Sequence, residues 1–317
     1  MAKRKYKDVK FRQEALVLVQ TLNEIVDEYI EQDLTLTLRQ LYYQCVSRDI
    51  VPNTEASYKR VGSVVSDARL AGLLDWDAIE DRMRKPDVPP QWESISDLVE
   101  VAIEQFRLPR MEGQLRYTEL WCEKDALAGV LAPLADDFHA TLMVNRGYSS
   151  SSAMRETGTR ILRACRKLKT VDVKILYLGD FDPSGEDMVR DVAERVQLFC
   201  TPPGFQPEQY TDVNSSTREA YGWPTIAVEK VALTWDQIQA FQPPPNPAKI
   251  TDSRAKAYIE KHGASSWEVD ALPPVELQRI VRNALEANIL SRPMEKVIEE
   301  EERQKEHLRS ALAQTEI

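Results

Sequence analysis

Short strand signals alternating with helix-length stretches leave few folds open to this chain. Apolar, β-rich runs occur at 117–122, 140–145 and 173–178. Helical spacing fills 125–136 and 152–168 and returns at 185–199. Strands alternating with helices of this length predict βαβ units, hence a parallel sheet with flanking helices. In such a sheet, chemistry gathers beyond the C-terminal ends of the strands. The residues that follow 122 and 178 are therefore the first to read for function.

The rest of the chain divides at proline-rich breaks. These are Lys85-Pro86-Asp87-Val88-Pro89-Pro90, Thr201-Pro202-Pro203-Gly204 and Gln242-Pro243-Pro244-Pro245-Asn246-Pro247. They predict a mainly helical N-terminal domain over 1–85, then a linker over 86–115 with a connecting helix at 92–106. An α/β domain over 116–235 and a mainly helical extension over 236–317 complete the chain. A length of 317 residues suits about two domains. With 43% hydrophobic and 29% charged residues the chain can bury a core, which excludes a mainly disordered protein. Its apolar runs fall short of the roughly 20 residues that span a bilayer. Cys45, Cys122, Cys165 and Cys200 lie far apart with no CxxC pair, so free thiols in a reducing compartment are expected, without a Cys-based zinc site. No apolar leader follows Met1, and the expected location is cytoplasmic, nucleoid-associated if the source is prokaryotic. The net charge of -10 argues against coating nucleic acid by bulk electrostatics. The C-terminal stretch 294–314 reads as an exposed helix and Glu299-Glu300-Glu301-Glu302 as its solvated face.

Two acidic sequences stand where such a sheet would carry a catalytic centre. The first strand runs into Glu123-Lys124-Asp125, and the third into Gly179-Asp180-Phe181-Asp182-Pro183-Ser184-Gly185. Asp180 and Asp182 are two apart, so in extended backbone both side chains leave the same face. Glu123 ends a strand expected nearby. Crowded carboxylates repel one another, and a hard divalent cation such as Mg²⁺ relieves the repulsion while leaving positions for phosphate oxygens. An isolated DxD is an ordinary turn pattern. The apolar strand running into it and the matching glutamate upstream point instead to a site.

The N-terminal domain offers a nucleophile. Thr37 and Gln40 have the form of a capping box opening a helix. Leu38, Leu41, Tyr42, Cys45 and Val46 follow the spacing of its core stripe. Tyr43 falls off that stripe, with Arg39 one turn earlier on the same side. A phenol with pKa near 10 costs about 4 kcal/mol to ionise at pH 7, and a fixed guanidinium offsets part of that.

GDFDPSG, with EKDA upstream and RGYSS between, resembles the Toprim domain of the topoisomerase VI A subunit and its relatives, which include the meiotic double-strand-break protein. The segment 37–43 is similar to the R-x-x-[YF]-Y pattern of the same family. The resemblance implies a Toprim domain preceded by a winged-helix domain. It implies Mg²⁺ held by Glu123, Asp180 and Asp182, and Tyr43 as the nucleophile assisted by Arg39. The implied activity is DNA cleavage leaving a 5′-phosphotyrosyl link. Double-stranded DNA would be the partner, and a homodimer would build composite sites in which Tyr43 of one copy faces the metal of the other. Only about 35 residues precede the tyrosine motif, which argues against an ATPase B-type subunit and toward the short stand-alone relatives called Mini-A. Expected DNA contacts are Lys59, Arg60 and Arg69 on the helix predicted at 57–73, then Arg146, Arg155 and Arg163 in and after RGYSS, where a helix N-terminus can meet phosphate. The Trp267–Leu272 segment also resembles one found after the Toprim core; its acidic residues, Glu268 and Asp270, either support the site or, the favoured reading, belong to core packing. A metal-dependent nuclease that activates water, with Tyr43 a bystander, is the competing reading. A non-catalytic DNA-binding protein is a third.

Overall fold

Four strands form one parallel sheet in the computed structural model, which describes residues 3–32, 34–79, 89–145, 147–201 and 223–313. They are β1 (Tyr117–Cys122), β2 (Thr141–Val144), β3 (Asp172–Leu178) and β4 (Thr225–Ala232), in the order β2-β1-β3-β4. The α/β expectation therefore holds at the level of a parallel sheet flanked by helices. The strand β4 was not foreseen. It is an edge strand paired only with β3, and Ala227 and Glu229 face solvent, so it lacks the continuous apolar run of a central strand.

Alternation along the strands gives the sheet two cores. On one face Leu120, Cys122, Leu176 and Leu178 pack against α5 (Ala128–Asp137) and α10 (Pro274–Asn288). On the other, Trp121, Val173, Ile175 and Tyr177 pack against α6 (Ser151–Leu168) and α7 (Pro183–Cys200). Within this second core lies one carboxylate, Glu119, fully buried. It accepts from Tyr117 Oη at 2.8 Å and from Trp121 Nε1 at 2.8 Å. Arg160 of α6 completes the shell with bonds of 3.0 and 2.9 Å. A buried charge is tolerated only when paired and saturated in this way. Arg160 is therefore a core counter-ion, unlike Arg155 and Arg163 of the same helix, which are exposed.

The N-terminal domain is three helices, α1 (Gln13–Ile30), α2 (Leu38–Ser47) and α3 (Glu55–Leu70), around a core that includes Leu22, Ile25, Leu36, Leu41 and Val61. Full burial of one such leucine contributes about 1.5–3 kcal/mol. The predicted capping box at Thr37 and Gln40 is present in both directions. Ala271, far along the chain, joins the same core and so fastens this domain to the C-terminal segment. The connecting helix α4 (Ile95–Gln105) buries Ile103 and leaves Ile95 and Leu98 exposed. Residues 85–88 and 202–204 of two predicted breaks lie outside the described residues. The break at 242–247 follows α8 (Trp235–Phe241) and leads through α9 (Ala255–His262) to α10 and α11 (Ser291–Ala313).

The Glu-rich run on α11 is not uniformly solvated. Glu301 is fully buried, accepting from Leu108 N at 2.8 Å and Arg110 at 3.0 Å, with Lys305 at 3.1 Å. It clasps α11 to the segment that leads into β1. Among the described residues no helix is long and apolar enough to cross a membrane.

Candidate active site

The chain leaves β3 through a turn that only glycine permits at two places. A Cβ on Gly179 would lie 2.6 Å from Tyr177 Cε1 and 3.0 Å from Glu123 Oε2. A Cβ on Gly185 would lie 2.2 Å from the Asp180 carbonyl oxygen. Between them Asp182 caps α7: its Oδ1 accepts from Gly185 N at 2.6 Å and Ser184 Oγ at 2.9 Å, with Pro183 opening the helix. The DxDxxG sequence is therefore a helix cap as well as an acidic site. Asp180 is 8% exposed, and its Oδ1 accepts from Val269 N at 2.9 Å. Glu123, just past β1, accepts from Asp180 N at 3.3 Å. The three predicted carboxylates thus meet at the C-terminal ends of the two central strands.

Burial pushes the Glu123 carboxyl above its usual range, and the Asp180 charge pushes it further. Burial also raises Asp180, while Lys124 opposes the rise. Among the described residues, no three His, Cys, Asp or Glu side chains are already drawn in as a metal-binding group. The surroundings nevertheless suit a hydrated Mg²⁺. The donors are all hard oxygens, and among the described residues two buried polar groups near the C-terminal ends of β1 and β3 have no hydrogen-bond partner. One is the Tyr177 hydroxyl; the other is the Asn145 amide, whose backbone N–H pairs with Cys122 O at 2.8 Å. Mg²⁺ keeps several of its waters when bound, and those waters would satisfy both groups.

A second acidic pair arrives from the far end of the chain. Phe181 and Trp267 exchange backbone hydrogen bonds of 2.8 and 3.0 Å, which lays residues 265–268 antiparallel against the DxD turn. Around that bridge Phe181, Trp235, Tyr258, His262 and Trp267 stack at centroid distances of 4.9–6.1 Å. The next residues, Glu268 and Asp270, are thereby delivered to the site, which corrects their reading as core packing. Lys124 stands between the acidic groups, its Nζ 2.7 Å from Asp180 Oδ2 and 3.2 Å from Glu268 Oε2. Burial alone would lower the lysine, but the surrounding carboxylates hold it above its usual pKa.

Helix α2 meets this cluster with Arg39 and Tyr43. Arg39 bonds Glu268, and its Nε lies 3.0 Å from Asp270 Oδ2. That second contact is ionic only, since neither Asp270 oxygen accepts a directed hydrogen bond. Asp270 is consequently raised to about 6, by burial against the opposing charges of Lys124 and Arg39. Arg39 also donates to the Tyr43 hydroxyl at 3.3 Å and lies 5.5 Å from its ring centroid. Tyr43 was expected off the core, but it is 4% exposed. The segment carrying Asn246 and Glu268 covers the face of α2 that its own domain leaves open. Burial, then Glu268, pushes the Tyr43 phenol up to about 12. Tyr42 takes the predicted core position, with its hydroxyl 3.1 Å from Asn53 Oδ1.

The predicted basic contacts divide. Lys59 and Arg60 are exposed on α3, facing Glu55 at 2.6 Å and Glu14 at 3.8 Å. Arg69 is turned inward, donating to the carbonyls of Trp76 and Ile79 and stacking on Trp76 at 5.2 Å. Its guanidinium closes the end of the N-terminal domain. Arg155 and Arg163 are exposed on α6, and Arg146 lies outside the described residues. The loop before α6 is pinned by Tyr148, which donates to Asp187 at 2.9 Å and carries Arg254 against its ring.

Lys124, Glu268, Asp270 and Asn145 are the members of this site that sequence reasoning left unassigned. A signal for two of them was present: Glu268 and Asp270 alternate with Trp267, Val269 and Ala271, the spacing that pairs Asp180 with Asp182 on one face. No protein-family model matches the chain, and no curated protein matches it.

Proposed function

We propose that this chain cleaves double-stranded DNA by Mg²⁺-dependent tyrosine transesterification, as a Toprim and winged-helix protein of topoisomerase VI A type. One observation carries the reading. A continuous line of polar contacts joins Tyr43 through Arg39, Glu268 and Lys124 to Asp180, so the nucleophile and the carboxylates share one site. Tyr43 and Asp180 lie far apart in the chain and come together through the 265–271 segment.

Glu123, Asp180 and Asp182 would hold the cation, which supplies charge neutralisation at the scissile phosphate. Tyr43 Oη forms a bond to phosphorus as the bond to the 3′ oxygen breaks, leaving a 5′-phosphotyrosyl link and a 3′ hydroxyl. The phenolic proton passes to water, and the departing oxygen takes one up. With Tyr43 held at about 12, ionising it beforehand at pH 7 costs roughly 7 kcal/mol. Loss of the proton therefore accompanies attack, and Arg39 stabilises the negative charge that develops on the phenol oxygen. Exposed Lys59, Arg60, Arg155 and Arg163 would contact backbone phosphate, a short local track on a chain of net charge -10. In this arrangement Tyr43 serves the carboxylates of its own chain; the homodimer that the resemblance implies, with Tyr43 facing the metal of the other copy, is the alternative that subunit mixing tests.

The burial of Tyr43 favours a second reading, hydrolysis by water at the same carboxylates with the tyrosine uninvolved. Supercoiled DNA incubated with the protein and Mg²⁺, then denatured with and without protease, separates them. Transesterification traps DNA on protein until protease is added, and Tyr43→Phe abolishes the trap. Free breaks that persist in Tyr43→Phe would establish the nuclease instead.

A further inference from the structure

The carboxylates of the proposed site are assigned, but the lysine among them is not. Lys124 lies in the turn after β1, 23% exposed, with its ammonium on Asp180 Oδ2 and Glu268 Oε2. Both Asp180 oxygens are engaged, Oδ1 by Val269 N–H and Oδ2 by Lys124, so a cation approaching Oδ2 meets the ammonium. We propose that Lys124 is the resident cation of this site, and that a divalent cation reaches Asp180 by exchanging with its ammonium. This rests on the reading that Glu123, Asp180 and Asp182 hold a divalent cation.

The reason is electrostatic. A Mg²⁺ ion sits about 2.1 Å from a carboxylate oxygen, and an ammonium hydrogen-bonded to that same oxygen would then lie roughly 4 Å from it. Two cations at that separation in a sheltered site repel strongly. The ammonium therefore leaves Asp180. It has somewhere to go: Glu268 already binds it, and Asp270 is a fully buried carboxylate that accepts no directed hydrogen bond. Lysine suits the role because its stem is flexible and its charge is a compact point, whereas a planar arginine would be fixed in place.

The test measures cation binding and lysine accessibility in the full chain. Mg²⁺ affinity is read by calorimetry for the wild type, Lys124→Met and Glu123→Gln. Reductive methylation read by mass spectrometry follows Lys124 with and without saturating Mg²⁺, with Lys59 as the exposed reference. The exchange predicts that Lys124→Met binds Mg²⁺ about ten-fold more tightly, equivalent to about 1.4 kcal/mol. It also predicts that methylation of Lys124 in the wild type falls several-fold with Mg²⁺, as its ammonium moves toward the fully buried Asp270, while Lys59 stays constant. Should Lys124→Met fail to fold, the wild-type methylation decides alone. Mg²⁺ binding that Glu123→Gln weakens, with Lys124→Met unchanged or weaker and Lys124 methylation constant, overturns the exchange and leaves the metal reading standing. No Mg²⁺ binding in the wild type or in Lys124→Met overturns both.

Discussion

Removing Arg39 exposes how the site is held together, because one carboxylate depends on it. In Arg39→Ala, Glu268 keeps its contact with Lys124, but Asp270 loses its ion pair with Arg39 and retains only the charge of Lys124, already engaged with Asp180 and Glu268. Breaking a buried ion pair from one side costs about 3–5 kcal/mol, most of it the price of a stranded charge. The penalty has a definite pH dependence. Burial raises Asp270 from 3.8 to about 6, so its contribution to stability is present below the lower value and is lost as pH rises through the upper one. Roughly two units correspond to about 3 kcal/mol of stability lost between those limits. Urea unfolding of the wild type, Arg39→Ala, Asp270→Asn and the double variant at pH 5 and pH 8 reads each quantity. Arg39→Ala should lose about 3–5 kcal/mol at pH 8 and clearly less at pH 5, where Asp270 takes up a proton. Asp270→Asn in the Arg39→Ala background should restore most of the loss, with a coupling of about 2–3 kcal/mol at pH 8. A coupling below about 0.5 kcal/mol at pH 8, or an equal loss at both pH values, refutes the assignment of Arg39 as the counter-ion of Asp270.

Three other outcomes follow from particular contacts. Gly185→Ala places a methyl 2.2 Å from the Asp180 carbonyl oxygen, and the turn must shift by about 1 Å, so DNA cleavage should fall on the order of 10²-fold while the melting curve stays cooperative. Arg160→Ala strands the buried Glu119 and should cost about 3–5 kcal/mol in urea unfolding, recovered by adding Glu119→Gln; if DNA affinity falls and stability does not, Arg160 is a phosphate contact after all. Mixing Tyr43→Phe with Glu123→Gln, each inactive alone, should restore part of the cleavage through hybrid dimers if the tyrosine acts on the other copy, whereas a site completed within one chain stays inactive after subunit exchange.

How much of this was legible in the sequence depends on how local each feature is. The strand at 117–122 and the cap at Thr37 rest on neighbouring residues, and both are found at the predicted positions. The convergence of Glu123 with Asp180 needed only the expectation of adjacent parallel strands. By contrast, Glu268 and Asp270 reach the site through the Phe181–Trp267 bridge, and Val269 meets Asp180 across 89 residues. Nothing in the periodicity of either segment encodes that pairing. Tyr43 shows the same limit from the other side: its place off the helix stripe suggests exposure, yet it joins the buried core of its domain beside Tyr42 and Ala271. Glu301 was hidden within a run of four glutamates, where only tertiary contacts distinguish the buried one.

Glu119, Glu268 and Glu301 are balanced by arginines, so the excess behind the net charge of -10 lies in other carboxylates. The cations that remain exposed on α3 and α6 are few, which predicts weak DNA binding with a shallow salt dependence, because the slope scales with the number of phosphates contacted. The claim that all of this serves a covalent step at Tyr43 is tested most directly by the chemistry of the trapped product. DNA and protein should be incubated with Mg²⁺, denatured, digested with nuclease and then with trypsin, and the peptides weighed. The account predicts a nucleotide joined through its 5′ phosphate to the tryptic peptide containing Tyr43, and to no other. An adduct on a different residue, or cleaved DNA with no adduct at all, contradicts it.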